Sequence, residues 1–509
     1  MKLARAIPGV CVTLPIALVA ACGSTGEPAA SDGGTFVLAV TDDTQNLDPH
    51  GPASSVGLVI QMSRLLYDPL VNVAADGAVL PGIAQTWTES GSAVTFTLRD
   101  DVTCGDGTPL TAAIVKENFD YVLDPANESA VRGIRVPVDA VVSADDAAHT
   151  VMVSTSTPPE FLLAQLSSLG IVCPGGLGDR ATLVRGADGT GPYTMSEAVP
   201  GSEYRLTRRD GYAWGPDGEP GGPLPESLVV RIVENESTTA NLLLDGEVDA
   251  AEIRGPDRER LTGAGLTPIA FREPVGQIWF NQRAGRLFED EALRTAVLQS
   301  MDLDEAARVA TRGTGVTSQG LLSEPLVCGG VDPSAALPGH DPAAAATALA
   351  GRPLAVTLMY PTSLGADVKA AIELVAAGLG DAGIATTLKP VTDAQLGPTL
   401  FETGDWDIFW GKTDVQIPTQ LLPYVSGAEP PDGSNFAGVD NATMDAFAES
   451  MGSGDDTCAV WNEAELALYD AASVVPLADV EVPIFAADAT FEVIGTQGGL
   501  IVPTSIRVE

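Results

Sequence analysis

The stretch "LAVTLMYPTSLGADVKAAIELVAAGLGDAGIATTLKPV" (354–391) carries the reading that decides the fold. "LAVTLMY" and "IATTLKPV" have strand length and composition. Between them, "ADVKAAIELVAAGLGDAG" (366–383) sets Val368, Ile372, Val375 and Leu379 on one face of a helix. Gly383 marks its stop. Next, "DAQLGPTLFETG" (393–404) predicts a weaker helix and "DIFW" (407–410) a third strand. Strands alternating with helices predict a parallel sheet with right-handed crossovers, so the fold class is α/β. Ligands of open parallel sheets bind beyond the carboxyl ends of the strands. The residues just after "DIFW" are therefore the first place to look for a site.

Working outward, "TFVLAV" (35–40) predicts a first strand. In "AVTFTLR" (93–99), Val94, Phe96 and Leu98 alternate with polar residues, the period of a half-buried strand. Val115, Phe119 and Val122 recur at helical spacing after it. "EYRLTRR" (203–209) and "ESLVVRIV" (226–233) predict further strands, with a turn at Pro200-Gly201 before the first.

A chain of 509 residues exceeds one hydrophobic core and implies two or three domains. The formal charge of −41 argues against nucleic acid and against a basic membrane-binding face; a solvated surface accounts for it. Lys2 and Arg5 precede an apolar run from Ile7 to Ala21, the layout of a secretory signal. The run is shorter than the ~20 residues of a spanning helix. It ends in Val19-Ala20-Ala21-Cys22, which resembles a lipobox. The expectation is a signal peptide over 1–21, lipid on Cys22, a flexible tether over 22–34, and a soluble body on the extracellular face of the membrane. The plainer alternatives are cleavage at a small-residue site or an uncleaved anchor.

Beyond Cys11 and Cys22 stand Cys104, Cys173, Cys328 and Cys458, too widely spaced for a zinc site. An oxidising location permits disulfides, and four cysteines allow three pairings. Cys104 with Cys173 and Cys328 with Cys458 would keep each bridge within one region.

Several blocks in order resemble the extracellular solute-binding proteins of peptide-type ABC importers, the dipeptide, oligopeptide and nickel group. They are "NLDPH" (46–50), "LLYDPLV" (65–71), "VLPGIAQTWTES" (79–90) and "VTFTLRDDVTCGDGTPLTAAIVKENFDYVLDP" (94–125). "GTGPYTM" (189–195), "LLLDGEVDAAEI" (242–253), "IWFNQRAGRLFEDEALRTAVLQSMD" (278–302) and "VVPLAD" (474–479) follow. The resemblance implies a two-lobed clamshell of the periplasmic-binding-protein type. Lobe one would comprise 35–52, 184–272 and 487–509, with a subdomain inserted over 53–183; lobe two would span 273–486. It implies a monomeric receptor that closes on a peptide-like ligand and delivers it to an ABC permease, with no cofactor and no catalysis. The alternatives are a non-peptide solute (oligosaccharide, opine-like compound or metal chelate) and, in a different class, a secreted two-domain hydrolase.

Peptide-binding members hold the ligand's amino terminus with an aspartate just after a strand of lobe two. In "WGKTDVQIP" (410–418) Asp414 is the matching acid, one residue further from Trp410 than the pattern has it and four before Pro418. Ile417 replaces a second acid. A carboxylate facing an ammonium is a charge-assisted pair, and Trp410 would form an apolar wall beside it. The plain alternative is a solvated loop aspartate after a core tryptophan. Arg132 and Arg135 are candidates for a ligand carboxylate, against the commoner role of surface arginines. Ala130-Val131 stands where oligopeptide members carry an aromatic, which weighs against long peptides. "GKT" (411–413) lacks the upstream glycine of a phosphate loop. His50, His149 and His340 are scattered, so no metal site is expected from them, and neither GxSxG nor HExxH occurs.

Overall fold

The computed structural model describes residues 34–508, apart from 45, 52–56, 75–76, 91, 157–158, 217–221, 323–326, 329, 414, 451–456 and 495–498. The signal, Cys22 and the tether as far as residue 33 lie outside the described residues.

The alternation read in 93–98 becomes one strand of a four-stranded antiparallel sheet, in the order Ala84–Ser90, Ala93–Leu98, Thr150–Ser154, Val141–Asp145. Val94, Phe96 and Leu98 face the helix Ala112–Leu123, whose Val115, Phe119 and Val122 close the core of this inserted subdomain. Thr111 caps the helix, its hydroxyl accepting from Ile114 N.

The first strand, Thr35–Val40, lies inside an eight-stranded sheet between Ser227–Ile232 and Ala250–Glu252, parallel to both. This sheet is the frame of lobe one. Asp479–Ala486 joins the same sheet, antiparallel to Ala250–Glu252 and Pro268–Pro274. The end of the stretch assigned to lobe two therefore belongs to lobe one's sheet. Helix Gly57–Leu66, placed by sequence in the inserted subdomain, buries Leu58, Met62, Leu65 and Leu66 in lobe one's core.

Lobe two is built on a five-stranded sheet, ordered Ile384–Val391, Leu354–Pro361, Ile408–Gly411, Gln277–Phe280, Val474–Pro476. Its first three strands are parallel, as the 354–410 reading predicts, and Gln277–Phe280 runs antiparallel to both neighbours. Alternation splits each strand between two cores. Ile278, Phe280, Leu358, Ile408 and Trp410 pack with the helix Gly365–Asp381, while Trp279, Met359 and Phe409 pack on the other face with Trp461 and Leu468. The weak helix at 393–404 is an α-turn Asp393–Gly397 running into a π-helix, Pro398–Thr403.

The chain crosses between the lobes at 275–276 and returns at 477–478, and the two crossings bond to each other. Val275 N donates to Ala478 O (2.9 Å) and Leu477 N to Gly276 O (3.2 Å). Gly276 has φ +142°, and a Cβ there would stand 2.3 Å from Trp410 Nε1, so both backbone conformation and space require glycine.

"NLDPH" pins lobe one to the inserted subdomain. The buried Asp48 carboxylate accepts from Arg180 Nε (2.9 Å) and pairs again with the other end of that guanidinium, which lies 4.0 Å from the Tyr121 ring centroid. Asp48 Oδ1 also accepts from His50 N at 2.9 Å. The His50 ring is buried against Gly170 O, and burial pushes its pKa down to about 3. The cysteines pair as Cys104–Cys173 and Cys328–Cys458.

Candidate functional site

A pocket of about 920 Å³, its open mouth included, lies where the inserted subdomain, lobe one and lobe two meet. Helix Gly57–Leu66 supplies Arg64, the loop after Ala112–Leu123 supplies Arg135, and the segment after the "DIFW" strand supplies Gln416, Ile417 and Gln420. Arg135 is 2% exposed. Its loop is held by Arg135 N donating to Val131 O (2.8 Å) and Gln165 Nε2 donating to Gly133 O (3.1 Å). Burial, with the like charge of Arg64 added, pushes the Arg135 guanidinium down to about 10, and burial does the same to Arg64. Arg64 has no hydrogen-bond or ion-pair partner among the described residues.

Among the described residues Asp68 is the only acid lining this pocket, and it is engaged elsewhere. Its carboxylate accepts from Tyr212 Oη (2.7 Å) and Trp214 Nε1 (2.9 Å), both packed in the inserted subdomain's core. Burial pushes its pKa up to about 6 against these hydrogen bonds. The pocket thus presents two cationic side chains, Arg64 and Arg135.

A second cavity, about 1,500 Å³ with its mouth, lies on the far side of the contact between that helix and Leu500–Ile501. Gln61 and Ile501 close the partition with two hydrogen bonds (3.2 and 2.8 Å). The wall of this cavity is an ion-pair chain across the hinge: Glu252 with Arg254, Arg254 with Glu273 (2.5 Å), and Glu273 with Lys412. Burial raises the Glu273 carboxyl, but Lys412 and Arg254 together hold it below its ordinary range. Lys412 of "GKT" is therefore a hinge ion-pair partner.

Of the residues singled out in the sequence, Arg135 lines the pocket and Arg132 does not. Arg132 is exposed, its Nε donating to Leu123 O at 3.1 Å. Trp410 is 0% exposed and packed in lobe two's core, so it forms no cleft wall; its indole N–H donates to Val275 O (3.3 Å) and braces the first hinge crossing. The alternation with Phe409 turns it to that face. Asp414 lies outside the described residues. Its neighbour Thr413 exchanges bonds with Gln277 (2.8 and 3.1 Å), and Gln416, two residues on, lines the pocket. Arg64 and Asp68 were not singled out. The signal for Arg64 is a cation inside the otherwise apolar-rich "GLVIQMSRLL". Among the described residues no group of three or more His, Cys, Asp or Glu is placed to hold a metal ion, and no helix is long and apolar enough to cross a membrane.

Two α/β lobes, a two-segment hinge, an inserted subdomain and a pocket lined by all three define the class of two-lobed solute-binding proteins. Residues 78–428 match the bacterial extracellular solute-binding proteins, family 5 (middle), and the chain belongs to that family. It is 27% identical over 210 residues to the nickel-binding periplasmic protein of Escherichia coli (strain K12), an alignment spanning 40% of this chain and 39% of that protein. It is 25% identical to the probable D,D-dipeptide-binding periplasmic protein of the same organism, over 80% of each chain. A crystal structure of a substrate-binding protein from Microbacterium hydrocarbonoxydans, complexed with 4-hydroxybenzoate hydrazide, superposes with a TM-score of 0.72. That protein is 29% identical, over 94% of this chain and 100% of its own.

Proposed function

We propose that this chain is the extracellular receptor of an ABC importer, that it captures a small peptide-like solute by its carboxylate, and that it performs no chemistry on it. The observation that carries the reading is the placement of two buried guanidinium groups, those of Arg64 and Arg135, in the lining of one pocket between the lobes. A guanidinium offers a carboxylate two parallel N–H donors, and a pocket closed from water strengthens the pair. Asp414 supplies the opposite pole, for a free amino group, two residues before the lining Gln416. A short peptide carries both charges. Family membership and the D,D-dipeptide-binding relative support the class.

Thermal-shift and calorimetric titrations with di- and tripeptides and their C-terminal amides test the reading. Free acids should raise the melting temperature and amides should not. Removing one member of a buried ion pair costs about 3–5 kcal/mol, so Arg135→Met should weaken the free acid by more than about a hundredfold. Equal affinity for acid and amide, or for parent and variant, would sink it.

One observation favours a second reading, a non-peptide aromatic solute: the relative from Microbacterium hydrocarbonoxydans is complexed with 4-hydroxybenzoate hydrazide. The same titrations separate the two, because an uncharged aromatic hydrazide would then bind and peptides would not.

The receptor is held to the membrane by lipid on Cys22, as its lipobox-like setting implies. Cys22→Ser should appear in the culture medium; a variant that stays membrane-bound and unprocessed would mark the apolar run as an anchor.

A further inference from the structure

Among the described residues, Gln61, Gln165, Gln277, Gln282, Gln416 and Gln420 are the buried glutamines. All but one donate from the side-chain amide to a backbone carbonyl. Gln61 Nε2 donates to Ile501 O (3.2 Å), Gln165 Nε2 to Gly133 O (3.1 Å) and Gln277 Nε2 to Thr413 O (3.1 Å). Gln282 Nε2 donates to Ser473 O (3.1 Å) and Gln420 Nε2 to Ile134 O (3.2 Å). Gln416 is the exception. It is 4% exposed, and its Nε2 has no acceptor among the described residues.

This donor stands in the lining of the pocket that also holds Arg64 and Arg135. Its backbone is fixed there: Gln416 N donates to Gln420 Oε1 at 3.0 Å, one turn into the helix Pro418–Val425. A buried amide donor without an acceptor carries its full desolvation cost, which is why folded proteins satisfy nearly all such groups. The pocket is a side from which an acceptor can reach it.

We infer that Gln416 is a specificity-determining residue whose side-chain amide donates to a carbonyl oxygen of the bound solute. The inference rests on the reading of this pocket as the solute site. A solute carboxylate goes to a guanidinium, which binds it more strongly than a neutral amide does, so the acceptor left for Gln416 is a neutral one. In a short peptide that acceptor is the carbonyl of the amide bond, and an acyl hydrazide offers the same group. An analogue without the carbonyl leaves the buried amide unpaired, and a site built around a hydrogen-bonding group rejects such analogues strongly.

The test is calorimetry with matched pairs of probes. Glycylglycine and 5-aminopentanoate share chain length and both charged ends, and only the first has the carbonyl; triglycine and 8-aminooctanoate form a longer pair. For the aromatic class the pair is 4-hydroxybenzoate hydrazide and 4-hydroxybenzylhydrazine. The parent should bind the carbonyl-bearing member of a pair more tightly. Gln416→Met should cut that ratio of affinities about tenfold, about 1.4 kcal/mol, by weakening that member alone. A merely structural role would weaken both members and leave the ratio unchanged. Gln416→Glu keeps the shape and turns the donor into an acceptor; it should cut the ratio at least as far, and it carries the test if Gln416→Met does not fold. Arg135→Met should weaken both members of a peptide pair alike, so the carboxylate and carbonyl contacts are read separately. Equal binding of both members by the parent, or an unchanged ratio in a folded Gln416 variant, would overturn the role of Gln416 and leave the pocket reading standing. A parent that binds no member of any pair would overturn both.

Discussion

Replacing both members of either disulfide by alanine is expected to cost several kcal/mol of stability. Closing a loop removes conformational freedom from the unfolded chain. The chain-entropy relation gives about 4 kcal/mol for the 69-residue separation of Cys104 and Cys173 and about 5 kcal/mol for the 130-residue separation of Cys328 and Cys458. Each bridge should act on its own part. The first joins two segments of the inserted subdomain; the second holds the segment carrying Leu321 and Leu322 to the helix Thr457–Asp470. Guanidinium unfolding of the two double-alanine variants under oxidising conditions measures this. A loss under about 1 kcal/mol in either would show that its loop is already restrained when unfolded.

The second large effect is expected at Asp48. Its carboxylate is 4% exposed and bound at both oxygens by the Arg180 guanidinium, which is itself stacked on Tyr121. Asp48→Ala leaves that guanidinium part-buried without its counter-charge and removes the acceptor of His50 N. The expected cost is about 3–5 kcal/mol, the range for breaking a buried pair from one side. Asp48→Ala with Arg180→Met should recover part of the loss, because no uncompensated charge then remains. A double variant no better than Asp48→Ala would place the cost in the backbone turn of "NLDPH" and not in the charge.

The sequence by itself determined the local elements and their class. Period-2 alternation read a strand over 93–99, found as Ala93–Leu98; helical spacing read a helix over 366–383, found as Gly365–Asp381; and the order strand–helix–strand across 354–410 required parallel pairing. These follow from short-range sterics and from the need to bury one face, which any short window of sequence carries. The ordered blocks placed the chain in its family for the same reason, since each is a local pattern.

Only the tertiary structure decided what those elements do to each other. Lobe two's sheet is covered on both faces, so Ile408, Phe409 and Trp410 of "DIFW" are apolar without a break and alternation carries no label distinguishing core from cleft. Trp410 could not be assigned to the hinge without knowing that Val275 and Gly276 pass beside it. Arg132 and Arg135 stand three residues apart, and the turn between them sends one to solvent and the other into the pocket, where it meets Arg64 from a helix more than sixty positions upstream. The strand 479–486 reads identically for either lobe, and its register with 250–252 and 268–274 places it in the first. Burial and charge pairing are properties of which distant segments meet, and these meetings are made by the packed fold, beyond the reach of any short window of the chain.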